Sequence, residues 1–383
     1  RDIRARGLRS VAISSVFSPL SDECERTAAE IVREVCPGVD VTLSHDLGRI
    51  GLLERENATL LNACLVGLAR RTTQAFTSAL DSSGVAAPLY LTQNDGTVMK
   101  AAFAEAFPVY SFSSGPTNSM RGAAFLSGLR DAMVVDVGGT TTDIGRLVRG
   151  FPAEANAAVH IGGVRTLFRM PDLLSIGLGG GSLVDPEAGS VAPVSVGHRI
   201  TQEARVFGGN RLTATDIAVA AGLADIGDRR HVSDVERRLI DVCLARIRET
   251  VETSVDRMKT EAAPMPLVAV GGAAFLVPRT LPGISEVVDV PHREVANAIG
   301  AAIAQVSGEV DQIFSGCDRS AAIGRATAQA RERACRAGAD EASLTVTEVE
   351  DLPLSYLPGD ARRVRVRVVG DTRPENRSTI SSS

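Results

Sequence analysis

The sequence predicts an α/β protein with mixed sheets flanked by helices, and three observations carry that prediction. Short apolar runs of strand length alternate with amphipathic helical stretches along most of the chain, the order that yields a parallel or mixed sheet covered by helices. Thirty-six glycines in 383 residues favour an α/β protein with many tight turns. Residues 131–150, DAMVVDVGGTTTDIGRLVRG, read as strand, glycine turn, strand.

Taken in order, Ser10 to Phe17 reads as a buried strand. Ser21 or Asp22 caps a helix that Pro37-Gly38 stops. Val39 to Leu43 is a second short strand, and Glu54 to Ala69 is a helix with Leu60, Leu61, Cys64, Leu65 and Leu68 on one face. Pro88 to Thr92 is a strand before a turn at Asp95-Gly96. After the hairpin comes another strand with a Gly162-Gly163 turn, then a polar, loop-rich stretch from Pro193 to Asn210. Thr213 or Thr215 caps the next helix. From Ser233 to Lys259, apolar residues recur at spacings of three and four, the pattern of a structural helix. Asp318 or Ser320 caps a helix to about Ala337. Leu344 to Val349 and Arg363 to Val369 are strands; the RVRVRVV alternation of the latter fits a half-exposed strand better than a nucleic-acid patch. Arg377 to Ser383 reads as a disordered polar tail.

Composition excludes several classes. Charge is mixed with a net of −5, and Trp is absent, so neither a nucleic-acid nor a membrane surface is indicated. No stretch of about 18 continuous apolar residues and no signal peptide is found, which predicts a cytoplasmic protein. The six cysteines are scattered without a C-x-x-C pair, and the five histidines show no ligand spacing. No G-x-S-x-G and no G-x-x-x-x-G-K-[ST] occurs.

Chemistry concentrates in the hairpin. Asp136 and Asp143 flank a turn of Gly138, Gly139, Thr140, Thr141 and Thr142. Glycines let backbone N–H groups approach a phosphate, and threonines add hydroxyl donors. Two carboxylates there can hold hydrated Mg2+ and orient a water. The same residues would also make an ordinary glycine-rich hairpin. Downstream, Leu267 to Phe275 is an apolar strand running into Gly271, Gly272 and Ala273, and Glu294 to Val306 is a helix whose small residues permit close helix approach. Gly179, Gly180, Gly181 and Ser182 suggest close backbone approach to a phosphate, a substrate or a neighbouring strand. Asp216 opens a helix and suits its dipole.

The hairpin, the strand ending in G-G-A and the small-residue helix, in this order, resemble the actin-like ATPase superfamily. Ser114 to Leu129 (SGPTNSMRGAAFLSGL), Ser175 to Asp185 (SIGLGGGSLVD) and Arg211 to Asp216 (RLTATD) narrow the resemblance to the hydantoinase A/5-oxoprolinase family. Ser15 to Val32 and Leu52 to Leu65 match its amino-terminal region in style. The resemblance implies an actin-like, ribonuclease H-like core: residues 1–120 as the remainder of a first domain, 121–308 as a second domain, 309–370 as a small C-terminal α/β module and 371–383 as a tail. It implies ATP and Mg2+ as cofactors. Asp136 and Asp143 would manage metal and proton, Gly138 through Thr142 the phosphates, Gly179 to Ser182 the cleft, and Gly271 to Ala273 the nucleoside. The implied activity is ATP-dependent hydrolysis of a cyclic amide, a hydantoin or 5-oxoproline-like lactam, with a hydantoinase B-like partner subunit. The alternatives are another phosphotransferase or carboxylase subunit, or a non-catalytic scaffold. Family members open with a first phosphate hairpin that is not found here, so the first domain is expected to be truncated or degenerate, turnover by this chain negligible, and an exposed sheet edge prone to self-association.

Overall fold

In the computed structural model, residues 2–47, 51–155, 159–166, 168, 170–355 and 359–373 are described. The tail expected at Arg377 to Ser383 lies outside them. The chain forms two compact units. One comprises Arg1–Phe112, Asn156–Met170 and Ala304–Ser383, the other Ser113–Ala155 and Pro171–Ile303.

The second unit is built on a mixed sheet. Its strands run in the order Leu173–Ile176, Thr142–Val148, Ala132–Val137, Met265–Val270, Ile284–Val288. Met265–Val270 is parallel to both neighbours; the remaining pairs of that order are antiparallel. Alternation sends Met133, Val135, Val137 and Ile144 to one face, where Ile247, Val251 and Val255 of the helix Arg237–Met258 cover them. That helix lays its apolar face on the sheet, as its periodicity predicts. Ala132, Val134 and Leu147 point to the opposite face, against Met120 and Ala123 of the helix Ser114–Ser127.

The helices Ser114–Ser127 and Ala296–Ala302 lie in backbone contact. A Cβ on Gly300 would stand 1.9 Å from the Asn118 carbonyl oxygen, and one on Gly122 would stand 1.9 Å from that of Ala296. The small residues read in the sequence therefore do serve close approach. Gly300→Ala should force the helices apart and destabilise the fold by about 1–3 kcal/mol, the usual cost of overpacking. Denaturant unfolding checks this; an unchanged midpoint would mean that the two helices are free to separate.

In the first unit, five strands run in the order Thr345–Pro353, Arg362–Gly370, Val306–Phe314, Val98–Lys100, Tyr90–Thr92, beside a separate parallel pair, Ser10–Ile13 and Asp40–Leu43. Residues 309–370, expected as a small module of their own, thus share a sheet with strands from the first hundred residues; Val306 pairs with Val98. Val364, Val366 and Val368 are buried with an alanine ridge of the helix Arg319–Ala337. The arginines between them meet acids: on the neighbouring strand Val306–Phe314, Arg363 pairs with Asp311 at 2.6 Å and Arg365 with Glu309 at 3.0 Å, and Arg367 pairs with Asp95, in a turn, at 2.6 Å. The basic alternation is a charge-matched interior strand, more buried than the half-exposed strand expected.

Some ends differ from expectation. The helix expected over Glu54 to Ala69 spans Leu52–Ser82, because no glycine or proline interrupts the polar stretch that follows. Asp22 precedes the helix Glu23–Val35 without capping it through its side chain; its carboxylate pairs with Arg26 instead. Asp318 caps as predicted, accepting from the Ala321 N–H at 2.7 Å. The stretch from Pro193 contains the end of the strand Ser190–Ser195, paired with Ser182–Asp185.

Candidate active site

The apolar run 132–135 makes a central strand, and the glycine turn reverses it, so Asp136 and Asp143 face each other as a cross-strand pair. Register extends the row: Asp143 is paired with Ser175 on one side and Asp136 with Val270 on the other. Both carboxylates are half-buried on the sheet face covered by Ser114–Ser127. The Ser175 hydroxyl donates to Asp143, and Ser119 of that helix stands near Asp136. Burial pushes the Asp136 carboxyl above the ordinary range; the Ser119 hydroxyl opposes this, and the neighbouring Asp143 charge adds to it. Burial likewise raises Asp143, with Ser175 opposing. Two partly dehydrated carboxylates side by side are an unfavourable arrangement for structure alone, and a divalent cation between or beside them would relieve it.

The turn is closed by the Gly138 N–H, which donates to the Thr141 carbonyl at 2.9 Å. Gly139, Thr140 and Thr141 are exposed. Among the described residues none accepts from their N–H groups, which suits a turn that offers donors to an anion. Thr142 differs. It is fully buried and donates its hydroxyl to the Leu178 carbonyl at 2.6 Å, which corrects its expected use as a hydroxyl donor to phosphate.

The glycine run answers a question the sequence left open. The Gly180 N–H donates to the Gly138 carbonyl at 2.9 Å and the Gly181 N–H to that of Gly139 at 2.7 Å. A Cβ on Gly179 would lie 2.5 Å from the Thr140 nitrogen. Ser182 accepts from the Gly179 N–H at 2.9 Å, and Thr215 donates its hydroxyl to the Gly180 carbonyl at 2.8 Å. The close approach is therefore to a neighbouring turn: the run props the hairpin from behind.

The G-G-A run meets the same place. Gly271 has φ +92°, and a Cβ on it would strike Asp136 Oδ1 at 2.3 Å and the Val137 carbonyl oxygen at 2.4 Å. The Ala273 N–H donates to the Val137 carbonyl at 2.9 Å. Gly272 alone of the three faces open space, where an added Cβ meets nothing within 4 Å. The hairpin turn, the glycine run 179–181 and the G-G-A run thus converge at one end of the sheet. Asp216, read as a dipole charge, does more. Its buried carboxylate completes a capping box with Thr213 and also accepts from the Arg205 and Val206 N–H groups.

Ser119, Ser175 and Thr215 were missed as members of the site. Only register could have found Ser175, which the strand pairing places beside Asp143. Among the described residues no group of three or more His, Cys, Asp or Glu forms a metal cluster. Two carboxylates suffice for Mg2+, which keeps waters and takes further oxygens from phosphates, so the residues present fit MgATP. No described helix is long and apolar enough to cross a membrane.

These features define an α/β protein of the actin-like ATPase fold. The crystal structure of ATP-dependent caprolactamase from Pseudomonas jessenii superposes with a TM-score of 0.71 at 17% identity, over 99% of this chain and 68% of that one. Nucleotide-free acetone carboxylase gives 0.66 at 17% identity, over 97% and 66%. Residues 55–225 match the family described as Hydantoinase/oxoprolinase, the family that the sequence motifs resemble. The caprolactamase subunit alpha of Pseudomonas jessenii is 26% identical over 265 residues, 66% of this chain and 38% of that protein. The acetophenone carboxylase gamma subunit of Aromatoleum aromaticum is 26% identical over 235 residues, 58% and 32% respectively. This chain matches no more than 40% of the length of these curated relatives or of a third, an uncharacterized protein of Methanocaldococcus jannaschii.

Proposed function

We propose that this chain is the ATP-binding part of an enzyme that opens a cyclic amide, a lactam or hydantoin. The observation that supports it best is the convergence of a buried carboxylate pair, a turn with exposed N–H groups and an open glycine on one sheet end. Bound MgATP would supply a phosphoryl group to the amide oxygen, which makes the resonance-stabilised carbonyl carbon an electrophile for water. Asp136 and Asp143 hold the ion and can accept a proton at a carboxylate oxygen. The N–H groups of Gly139, Thr140 and Thr141 orient the terminal phosphates, with Gly138 closing the turn. Gly179 to Ser182 fix that turn in place, which limits reorganisation during transfer. Gly272 leaves room for the nucleoside. Two relatives are named as subunits, which supports a partner subunit; its hydantoinase B type is what the family resemblance implies.

Incubation of the whole enzyme, partner subunit included, with MgATP and a panel of lactams and hydantoins tests this: amide-dependent ADP release should accompany a ring-opened amino acid. The resemblance to acetophenone carboxylase favours a second reading, a carboxylase subunit; ADP release that requires a ketone and bicarbonate instead would select it.

The nucleoside position has its own test. Gly272→Val should leave folding intact, since the added side chain enters open space, yet weaken ATP binding by about tenfold or more through contact with the ligand. Equal affinity of variant and parent by calorimetry would remove Gly272 from the nucleotide site.

A further inference from the structure

We propose that the first unit carries a binding site for a free apolar amino acid of leucine or methionine size, in a groove walled by Asp46, Arg333 and Arg336. All residues of the groove belong to that unit, so the proposal does not depend on the ion site.

Two adjoining cavities make the groove. The inner one, of about 110 Å3, has an aromatic wall of Phe103, Phe107, Tyr110 and Phe168. Ring contacts hold that wall together: the centroids of Phe103 and Phe107 are 4.8 Å apart, those of Phe103 and Tyr110 6.3 Å, and those of Tyr110 and Phe168 6.5 Å. Asp95, Glu309 and Asp311 also line this cavity, but Arg367, Arg365 and Arg363 neutralise them. The outer cavity, of about 460 Å3, is mainly polar, and it shares Asp46, Arg333 and Arg336 with the inner one.

The charges on the shared wall are not spent on one another. Asp46 and Arg336 are of opposite sign and border the same two cavities, yet among the described residues neither side chain makes a hydrogen bond or an ion pair. Arg26 feels the Asp46 charge but is committed to Asp22. Arg333 donates from Nη1 to the Glu309 carbonyl at 2.8 Å, which sets it on the wall and leaves most of its five N–H donors for another acceptor. One turn earlier on the same helix, Gln329 lines the outer cavity, and its buried Oε1 has no partner among the described residues. A buried acceptor in that state is unfavourable until a donor arrives.

These features ask for one ligand with three parts. An arginine pair suits a carboxylate, Asp46 and Gln329 suit an ammonium group, and the aromatic wall suits an apolar side chain. An α-amino acid bears all three on one carbon. A simple organic acid would bring its charge up to Asp46, and a simple amine would leave both arginines unmatched. The inner cavity is smaller than the about 150 Å3 known to admit benzene, so it fits an aliphatic or thioether side chain and not an indole.

Calorimetry on the chain tests this with leucine, methionine, serine and 4-methylpentanoate, the last being leucine without its ammonium group. Leucine and methionine should bind saturably, and serine and 4-methylpentanoate at least about tenfold more weakly, the scale of one charge-assisted contact. Arg336→Gln should weaken leucine about tenfold and keep its preference over the acid. Asp46→Asn should erase that preference. Neither side chain is paired within the protein, so both variants should keep the parental thermal midpoint. Absence of saturable binding of leucine and methionine overturns the proposal. So does 4-methylpentanoate binding the parent as tightly as leucine, or leucine affinity unchanged in both variants.

Discussion

In the whole enzyme of which this chain is proposed to be the ATP-binding part, Asp136→Asn is expected to lower magnesium-dependent ATP turnover by about 10²–10³-fold, the scale of losing one preorganised charge-handling group, while raising the thermal midpoint at neutral pH. The two effects have one origin. The Asp136 carboxyl is raised by burial and by the Asp143 charge, so the folded state holds its proton more tightly than the unfolded chain does. Such a group contributes stability that is fully present below the unfolded-state value, near 4, and lost as pH rises through the higher folded value. At neutral pH the parent bears that cost and the neutral amide does not. The gain in midpoint should shrink as pH falls toward the ordinary carboxylate range. Turnover at parental level, or a midpoint lowered at pH 7, would remove Asp136 from the ion site.

Gly271→Ala should be among the most damaging single-methyl changes in the second unit. The residue sits at φ +92°, and the new Cβ would strike both the Asp136 carboxylate and the Val137 carbonyl. Overpacking costs about 1–3 kcal/mol, and a strained backbone region adds roughly as much again. Whatever relaxation occurs must move Asp136 or the strand that carries it, so ATP affinity should fall with stability. The adjacent Gly272→Val tests the opposite limit, binding without folding. Denaturant midpoints and calorimetry on the two variants separate them; a Gly271→Ala protein with parental midpoint and affinity would show that this end of the sheet is loosely built.

What the sequence made legible was whatever rests on local pattern. The hairpin, the long structural helix, the Asp318 cap and the small-residue helix follow from periodicity, turn chemistry and volume. What it left open depends on partners far along the chain. The glycine run at 179–181 could have served a ligand or a strand equally well, because the turn it props lies about forty residues earlier. Thr142 looked like Thr140 and Thr141 until strand register turned its hydroxyl inward to Leu178. Ser119 and Asn297 meet through the crossing of two helices separated by more than 150 residues, and no single-sequence pattern encodes such a meeting. Likewise the acids that match Arg363, Arg365 and Arg367 stand 52, 56 and 272 residues away, two on the strand Val306–Phe314 and Asp95 in a turn.

Those arginines also have a bearing on how the chain avoids its own copies. Arg362–Gly370 is β-branched, apolar on one face and long enough to stack as a fibril-forming segment. Laid in register on an identical strand, however, every arginine would meet an arginine. Beside Val306–Phe314 each of Arg363 and Arg365 instead meets an acid, and beside Thr345–Pro353 Arg362 meets Asp351. The charge pattern that anchors the strand in its native sheet thus penalises homotypic pairing while the chain is still folding, a gatekeeping role performed by the same three-residue alternation that resembles a nucleic-acid patch on paper.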